Sequence, residues 1–334
     1  MALTFGGKKK PGGTPPRFAL SPFEQVMTDR IAAALRELAL SVDIEAFIEA
    51  IEALDPDLLE SLLNELTSGF ISARLEAALR EVAASTATAQ GKAAAEIAPN
   101  RSPERDKTLF NRVDQRTADY AANRSSGLIV EINQSNRLAV RRVIAGSFTS
   151  PYTVDETARR LRKMVGLHTR WANAVLKFDD ANVVRLIKDG YSPDEARARA
   201  DVLTKRYRDK LIRRRAEMIA RTEIQQAENF GRQAGWEAGN FVGYIDGASM
   251  KEWRTAPLRS QYGPPCEECM AVRGTRVPWN GAFSNGFMFP PAHPHCRCTV
   301  VLVPPSRGLE GLPSQDMASW LERLDQMYAD EGAL

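Results

Sequence analysis

The 334-residue chain has no apolar run approaching the roughly 18 residues that a membrane-crossing helix needs, so no membrane span is expected. Its start, MALTFGGKKKPGGTPPRF, has a basic cluster with no apolar stretch behind it. That composition predicts a disordered basic tail over 1–16 rather than a secretory signal. Aromatic residues make up only 7% of the chain and do not interleave with the basic ones, so base-stacking readout of nucleic acid finds no support. P-loops, dinucleotide fingerprints and nucleophilic triads are not recognisable. Histidine and cysteine are scarce as well, with three and four residues.

What little cysteine and histidine there is falls almost entirely in one window. All four cysteines and two of the histidines lie between Cys266 and Cys298, in PPCEECMAVRG and PPAHPHCRC. A zinc ion prefers four tetrahedral N/S ligands, and a CxxC turn lets two thiolates converge. Cys266 and Cys269 supply that half. The other half comes from His293, His295, Cys296 or Cys298. The set Cys266, Cys269, Cys296 and Cys298 is one solution. Cys296 and Cys298 are expected to need a turn to ligate together. His293 with Cys296 is the competing pair, its three-residue gap suiting a knuckle. The prolines at 290, 291 and 294 favour such a turn. Without secretion, clustered cysteines read as reduced metal ligands before disulfides, and these candidates suffice to close the shell of a structural zinc. The competing reading is a thiol cluster or disulfide with no metal.

Charge is unevenly placed. Residues 17–100 hold 6 Lys/Arg against 14 Asp/Glu, whereas 101–220 hold 26 against 15. The basic middle suits contact with phosphate or an acidic protein surface, or else a solvated helix surface. The periodicity predicts a mainly α protein: an acidic helical region over 17–98 and a basic helical body over 99–239. Ser192, Pro193 and Glu195 form a start signal for a long helix running to about Ala238, with Leu203, Tyr207, Leu211 and Met218 as its buried stripe. Gly231, Gly235 and Gly239, four apart, predict close backbone packing. The alanine-rich stretch 83–98 has high helix propensity and little to bury. Over 240–304 the segments FVGYI, KEWRT, TRVPW and TVVLV read as strands of a small α+β module, of a size that a metal commonly staples. A last helix, roughly Gln315 to Asp330 within 305–334, suits docking onto a partner or onto the body.

The wording of this region is specific when taken in order. RRRAEMIARTEIQQAENFGRQAG, then MKEWRT, then CEECMAVRG, then FPPAHPHCRCTVVLVP resembles the Mu F-like minor head protein family of tailed phages, also called the phage head morphogenesis family. The resemblance covers roughly 150–303. One departure is that the stretch before the CxxC is PLRSQYGPP, in which Arg259 stands without the aspartate that members often carry. The resemblance implies a structural component of the virion, inside the head near the portal vertex, acting in head morphogenesis and genome delivery after assembly in the host cytoplasm. Expected partners are the portal protein, major capsid or scaffold proteins, and packaged double-stranded DNA held without sequence preference. Arg213, Arg214 and Arg215 are then candidate DNA contacts, and the acidic N-terminal third would face protein. Arg221 and Glu223, two apart, cannot face each other on a helix. They are expected to tie the long helix to the C-terminal module, with Lys251 and Trp253 in the same structural role. No catalysis is expected. The rivals are a zinc-supported nuclease, which lacks the downstream histidine such sites use, and a zinc-ribbon-like DNA-binding module outside any virus. A redox CxxC is disfavoured because the pair does not open a helix in a βαβ setting.

Overall fold

The computed structural model describes residues 21–40, 43–53, 70–95, 102–147, 153–256, 265–294 and 296–305, with isolated positions between 55 and 65. His295, Arg259 and the helix expected near Gln315 to Asp330 lie outside the described residues.

Among the described residues, seven helices precede a small sheet: α1 Pro22–Leu40, α2 Ile44–Glu52, α3 Phe70–Ala95, α4 Pro103–Ser147, α5 Val154–Met164, α6 Thr169–Lys188 and α7 Pro193–Phe241. The chain is mainly α, as the periodicity predicts. At 49 residues α7 is about 73 Å long, and α1, α3, α4 and α6 pack along it. Its start is the expected capping box: the Ser192 hydroxyl accepts from the Glu195 N–H and the Glu195 carboxylate accepts from the Ser192 N–H. His168 caps α6 through Nδ1, which accepts from the Arg170 N–H at 3.3 Å.

The buried stripe of α7 is not the large-residue stripe read from the sequence. Of Leu203, Tyr207, Leu211 and Met218 only Leu211 is buried; many of the buried positions are small ones, Ala196, Ala200, Thr204, Ala216, Ala220, Ala227, Gly231 and Gly235, alongside the larger Ile212, Ile224 and Trp236. Large side chains come from the partners, with Met27, Ile31 and Leu35 of α1, Leu79 and Val82 of α3, and Val175 of α6 packing onto Ile212 and Ile224. The glycine ridge is filled by the alanine-rich helix. A Cβ on Gly231 would stand 2.1 Å from the Ala87 carbonyl oxygen, and one on Gly235 would stand 2.3 Å from that of Gly91. The two helices therefore touch backbone to backbone, which explains what the small residues of α3 bury.

Part of the charge asymmetry is used inside the chain. Acidic residues of α1 meet basic residues of α7: Arg221 Nε lies 3.1 Å from Glu24, and Arg213 lies 3.1 Å from Asp29. Between α5, α6 and α7, Lys163 bonds both Asp179 (2.5 Å) and Asp201 (2.7 Å), and Thr204 donates to Asp179.

After α7 the chain forms β1 Met250–Arg254, the five-residue helix α8 Glu267–Ala271, β2 Arg276–Pro278 and β3 Thr299–Val303. The sheet is antiparallel, with order β2-β1-β3; Lys251 stands opposite Val277 and Leu302. Three of the four expected strands are present. FVGYI is not one: Phe241 ends α7, and Val242 to Ile245 turn back on it, Gly239 O accepting from both the Tyr244 and Ile245 N–H groups. The module's core is continuous with the long helix. Trp236 of α7 and Ala94 of α3 lie in one cluster with Trp253, Phe283, Val300 and three of the cysteines.

Candidate metal centre

Cys266 caps α8, its sulfur accepting from the Cys269 N–H at 3.4 Å. The CxxC thus opens a short helix, and the antiparallel sheet offers no βαβ setting around it, in line with the sequence reading. Beyond α8, Gly274 takes a positive φ of 72° and donates its N–H to Trp253 O at 2.8 Å, which returns the chain to β2. This positions the CxxC at one end of the sheet.

The second half arrives on an irregular segment before β3. The Cys296 N–H donates to His293 O at 3.1 Å, a tight turn that brings Cys296 and His293 onto one loop. His293 Nε2 lies 3.1 Å from Cys266 Sγ and 3.3 Å from Cys269 Sγ. Cys269 Sγ lies 3.7 Å from Cys296 Sγ. Cys266, Cys269 and His293 form one group of potential ligands, and Cys269, Cys296 and Cys298 form another, the donor atoms of each group within 4.8 Å of one another. All the proposed ligands, including the alternative His293, are brought together. The cluster could hold a metal ion.

Its electrostatics fit that use. Burial pushes the Cys269 thiol up to about 12. A hydrogen bond from Cys298 lowers Cys296 to about 5, helped by backbone N–H groups and the nearby His293. Cys298 itself is pushed far up, by that same hydrogen bond and by burial. Cys269, Cys296 and Cys298 are buried; Cys266 faces solvent. A buried thiol that resists ionisation becomes a thiolate when a cation replaces its proton, so a metal suits this donor set better than water does.

The residues that hold the module to α7 went unnoticed in the sequence. Gln225 Nε2 donates to Cys298 O at 2.6 Å, and Arg232 donates to both Thr299 Oγ1 (2.6 Å) and Asn229 Oδ1 (3.0 Å). Asn229 is fully buried and also accepts from Thr299 Oγ1. Gln225, Asn229 and Arg232 recur at four and three residues, a polar stripe at helical spacing that could have been read as a face toward something polar.

Arg221 and Glu223 reach different neighbours, on helices of the body. Arg221 pairs with Glu24 of α1, and Glu223, 5% exposed, takes a bidentate pair from Arg124 of α4 at 2.6 and 2.7 Å. They tie helices of the body to one another. Lys251 is fully buried, its Nζ 3.3 Å from Gln233 Oε1 and 5.7 Å from the centre of the Phe283 ring, and burial lowers it to about 8. Trp253 is fully buried edge-to-face on Phe283. Of the arginine triplet, Arg214 is exposed and Arg213 is shared between Asp29 and Glu217. Arg215 is 4% exposed and donates to Gly166 O at 2.8 Å, so it is a buried strut and not a surface contact.

The fold and site define a helical protein with a small C-terminal α+β module that could hold a metal ion. No protein-family model, curated protein or solved structure matches the chain. No described helix is long and apolar enough to cross a membrane.

Proposed function

We propose that this chain is a minor head protein of a tailed phage, a structural component lodged inside the head near the portal and acting in head morphogenesis and genome delivery. The observation that carries the reading is the ordered set of words shared with the Mu F-like family, and where those words lie. IARTE and QQAENFGRQ are one stretch of α7, KEW is β1, CEEC is α8, and PPAHPHCRC leads into β3. Gln225 and Arg232 of the first word bond the last, and Lys251 of the second bonds Gln233 of the first. Words scattered over about 90 residues of sequence thus belong to one physical unit, as expected when a family signature encodes a packed module.

In this reading the metal is zinc, whose preference for four N/S donors matches the cluster, and it acts as a staple rather than a catalyst. The cysteine and histidine side chains orient the loop, and the ion supplies cross-linking between α8 and the segment before β3. The exposed basic residues of the body, Arg214 among them, meet packaged DNA without sequence preference. The protein partners are the portal and the capsid or scaffold proteins, met in the host cytoplasm during assembly.

Mass spectrometry of purified heads, with affinity capture of the tagged chain from infected cells, tests this. The expected result is the chain in mature heads, and portal and capsid proteins captured with it. Heads lacking the chain, with none of those proteins captured, would contradict the proposal.

A further inference from the structure

Five donors converge on a centre whose preferred ion takes four. We infer that the ion is held by Cys266, Cys269, His293 and Cys296, and that Cys298 is a resident thiol at the seam with α7 rather than a ligand. The inference rests on the zinc reading above and concerns which groups serve it.

Three observations carry it. The first is tautomer and aim. His293 Nδ1 lies 2.9 Å from Pro294 O, a bond in which the ring must donate. Nε2 then keeps its lone pair, and that atom is the one facing Cys266 and Cys269. A histidine oriented by a carbonyl on one nitrogen, with the other presented to two sulfurs, has the arrangement of a metal ligand.

The second is spacing. Zn–S bonds of about 2.3 Å and Zn–N bonds of about 2.0–2.1 Å give tetrahedral edges of about 3.8 Å between sulfurs and about 3.6 Å between sulfur and nitrogen. The contacts from His293 to Cys266 and Cys269, 3.1 and 3.3 Å, and from Cys269 to Cys296, 3.7 Å, approximate three of the six edges already. Binding opens the first two by a few tenths of an ångström. The turn from His293 O to the Cys296 N–H keeps the fourth ligand on the same loop as the third.

The third is what Cys298 does instead. Its carbonyl accepts the 2.6 Å bond from Gln225, and the next residue is held by Arg232 and Asn229. Residue 298 is thereby fixed to α7 before any metal arrives. Its side chain lies in the apolar cluster with Trp236, Trp253 and Val300, a cluster that also contains Cys269 and Cys296. Cys266 and His293 share one group of potential ligands with Cys269, and Cys296 joins it through its 3.7 Å contact with Cys269 Sγ. A ligand set that includes Cys298 and omits His293 would leave an oriented imidazole facing two thiolates with nothing between them.

X-ray absorption at the zinc edge of the full-length chain, with cobalt-substituted wild type, Cys298→Ser and Cys296→Ser compared by optical absorption, tests the assignment. Expected are one metal per chain and a first shell of three sulfurs and one nitrogen. The sulfur-to-cobalt charge-transfer intensity of Cys298→Ser should equal wild type. Cys296→Ser should lose about a third of it, one thiolate of three, or fail to hold the ion. A shell of four sulfurs, a one-quarter loss in Cys298→Ser, or two metals per chain would overturn the assignment while leaving the zinc reading standing. A chain that takes up neither metal would overturn both.

Discussion

Replacing Gly231 by alanine isolates the contact that organises the helical body. The added Cβ would stand 2.1 Å from the Ala87 carbonyl oxygen, 2.8 Å from its carbon and 2.9 Å from its Cα. All three atoms are backbone, so no rotamer change relieves the clash. Ordinary contact begins near 3.4 Å, which requires α3 and α7 to part locally by about 1.3 Å. Overpacking of this kind costs about 3 kcal/mol, while the better helix propensity of alanine returns about 1 kcal/mol, for a net loss of about 2 kcal/mol. In a chain of this size that lowers the melting temperature by about 3 °C, read by circular dichroism at 222 nm. Gly235→Ala meets Gly91 O at 2.3 Å across the same seam, so the double variant should lose less than the sum of the singles, the helices having already parted. Gly247→Ala, whose nearest atom would be a side-chain nitrogen 3.6 Å away, is the control and should stay within about 0.5 kcal/mol of wild type. If Gly231→Ala melts at or above wild type, as propensity alone dictates, the backbone-to-backbone packing described above is wrong.

Further outcomes follow from other contacts. Glu223→Ala removes the bidentate carboxylate that Arg124 bonds at a buried site and should cost about 3 kcal/mol by chemical denaturation, whereas Glu76→Ala, which breaks an exposed pair with Arg80, should cost under about 1 kcal/mol. Lys251 is held at about 8 by burial, below its ordinary value; the folded state therefore disfavours the charged form, and stability from this group rises as pH climbs from about 8 to about 10.5. Thermal melts across that range should show the rise in wild type, and a wild type as flat as Lys251→Met would contradict it. Arg214→Ala should weaken binding to duplex DNA and reduce its salt dependence without changing the melt, while Arg215→Ala should lower the melt because Gly166 O loses its donor; the reverse pattern would contradict the burial assigned to each.

The sequence carried the helices well because their boundaries are written in local chemistry. Ser192-Pro193 with Glu195, and Thr153 with Glu156, act over three or four residues and appear as bonds. The glycine ridge was legible for the same reason, since Gly231, Gly235 and Gly239 have no local role in a helix interior. Its partner was not legible. The alanines of α3 show high propensity and no stripe, and only the three-dimensional pairing reveals that small meets small. FVGYI has strand composition, yet the helix before it runs on to Phe241 and Gly239 O accepts from Tyr244 and Ile245, a tertiary outcome that propensity does not encode.

The Cys/His cluster was legible in full as a list and only in part as a site. Spacing identified Cys266 and Cys269 and left four candidates for the rest, because residues 293–298 can be strand or turn on composition alone. The structure makes a turn from His293 to Cys296, which brings the imidazole to the CxxC sulfurs. The roles of Arg221 and Glu223 were half legible: two apart on a helix, they had to reach different neighbours, but which helices those are depends on packing across 99 and 197 residues. The arginine triplet shows the same limit, since charge is visible in sequence and burial is not.

The cysteine–histidine window is proposed to bind a metal that cross-links α8 to the segment before β3. Elemental analysis of the full-length chain purified without added metal or chelator tests it most directly. The account predicts one zinc per chain, with its removal lowering the melting temperature; a chain that carries no metal, and whose melt is unmoved by zinc or by a chelator, would contradict it.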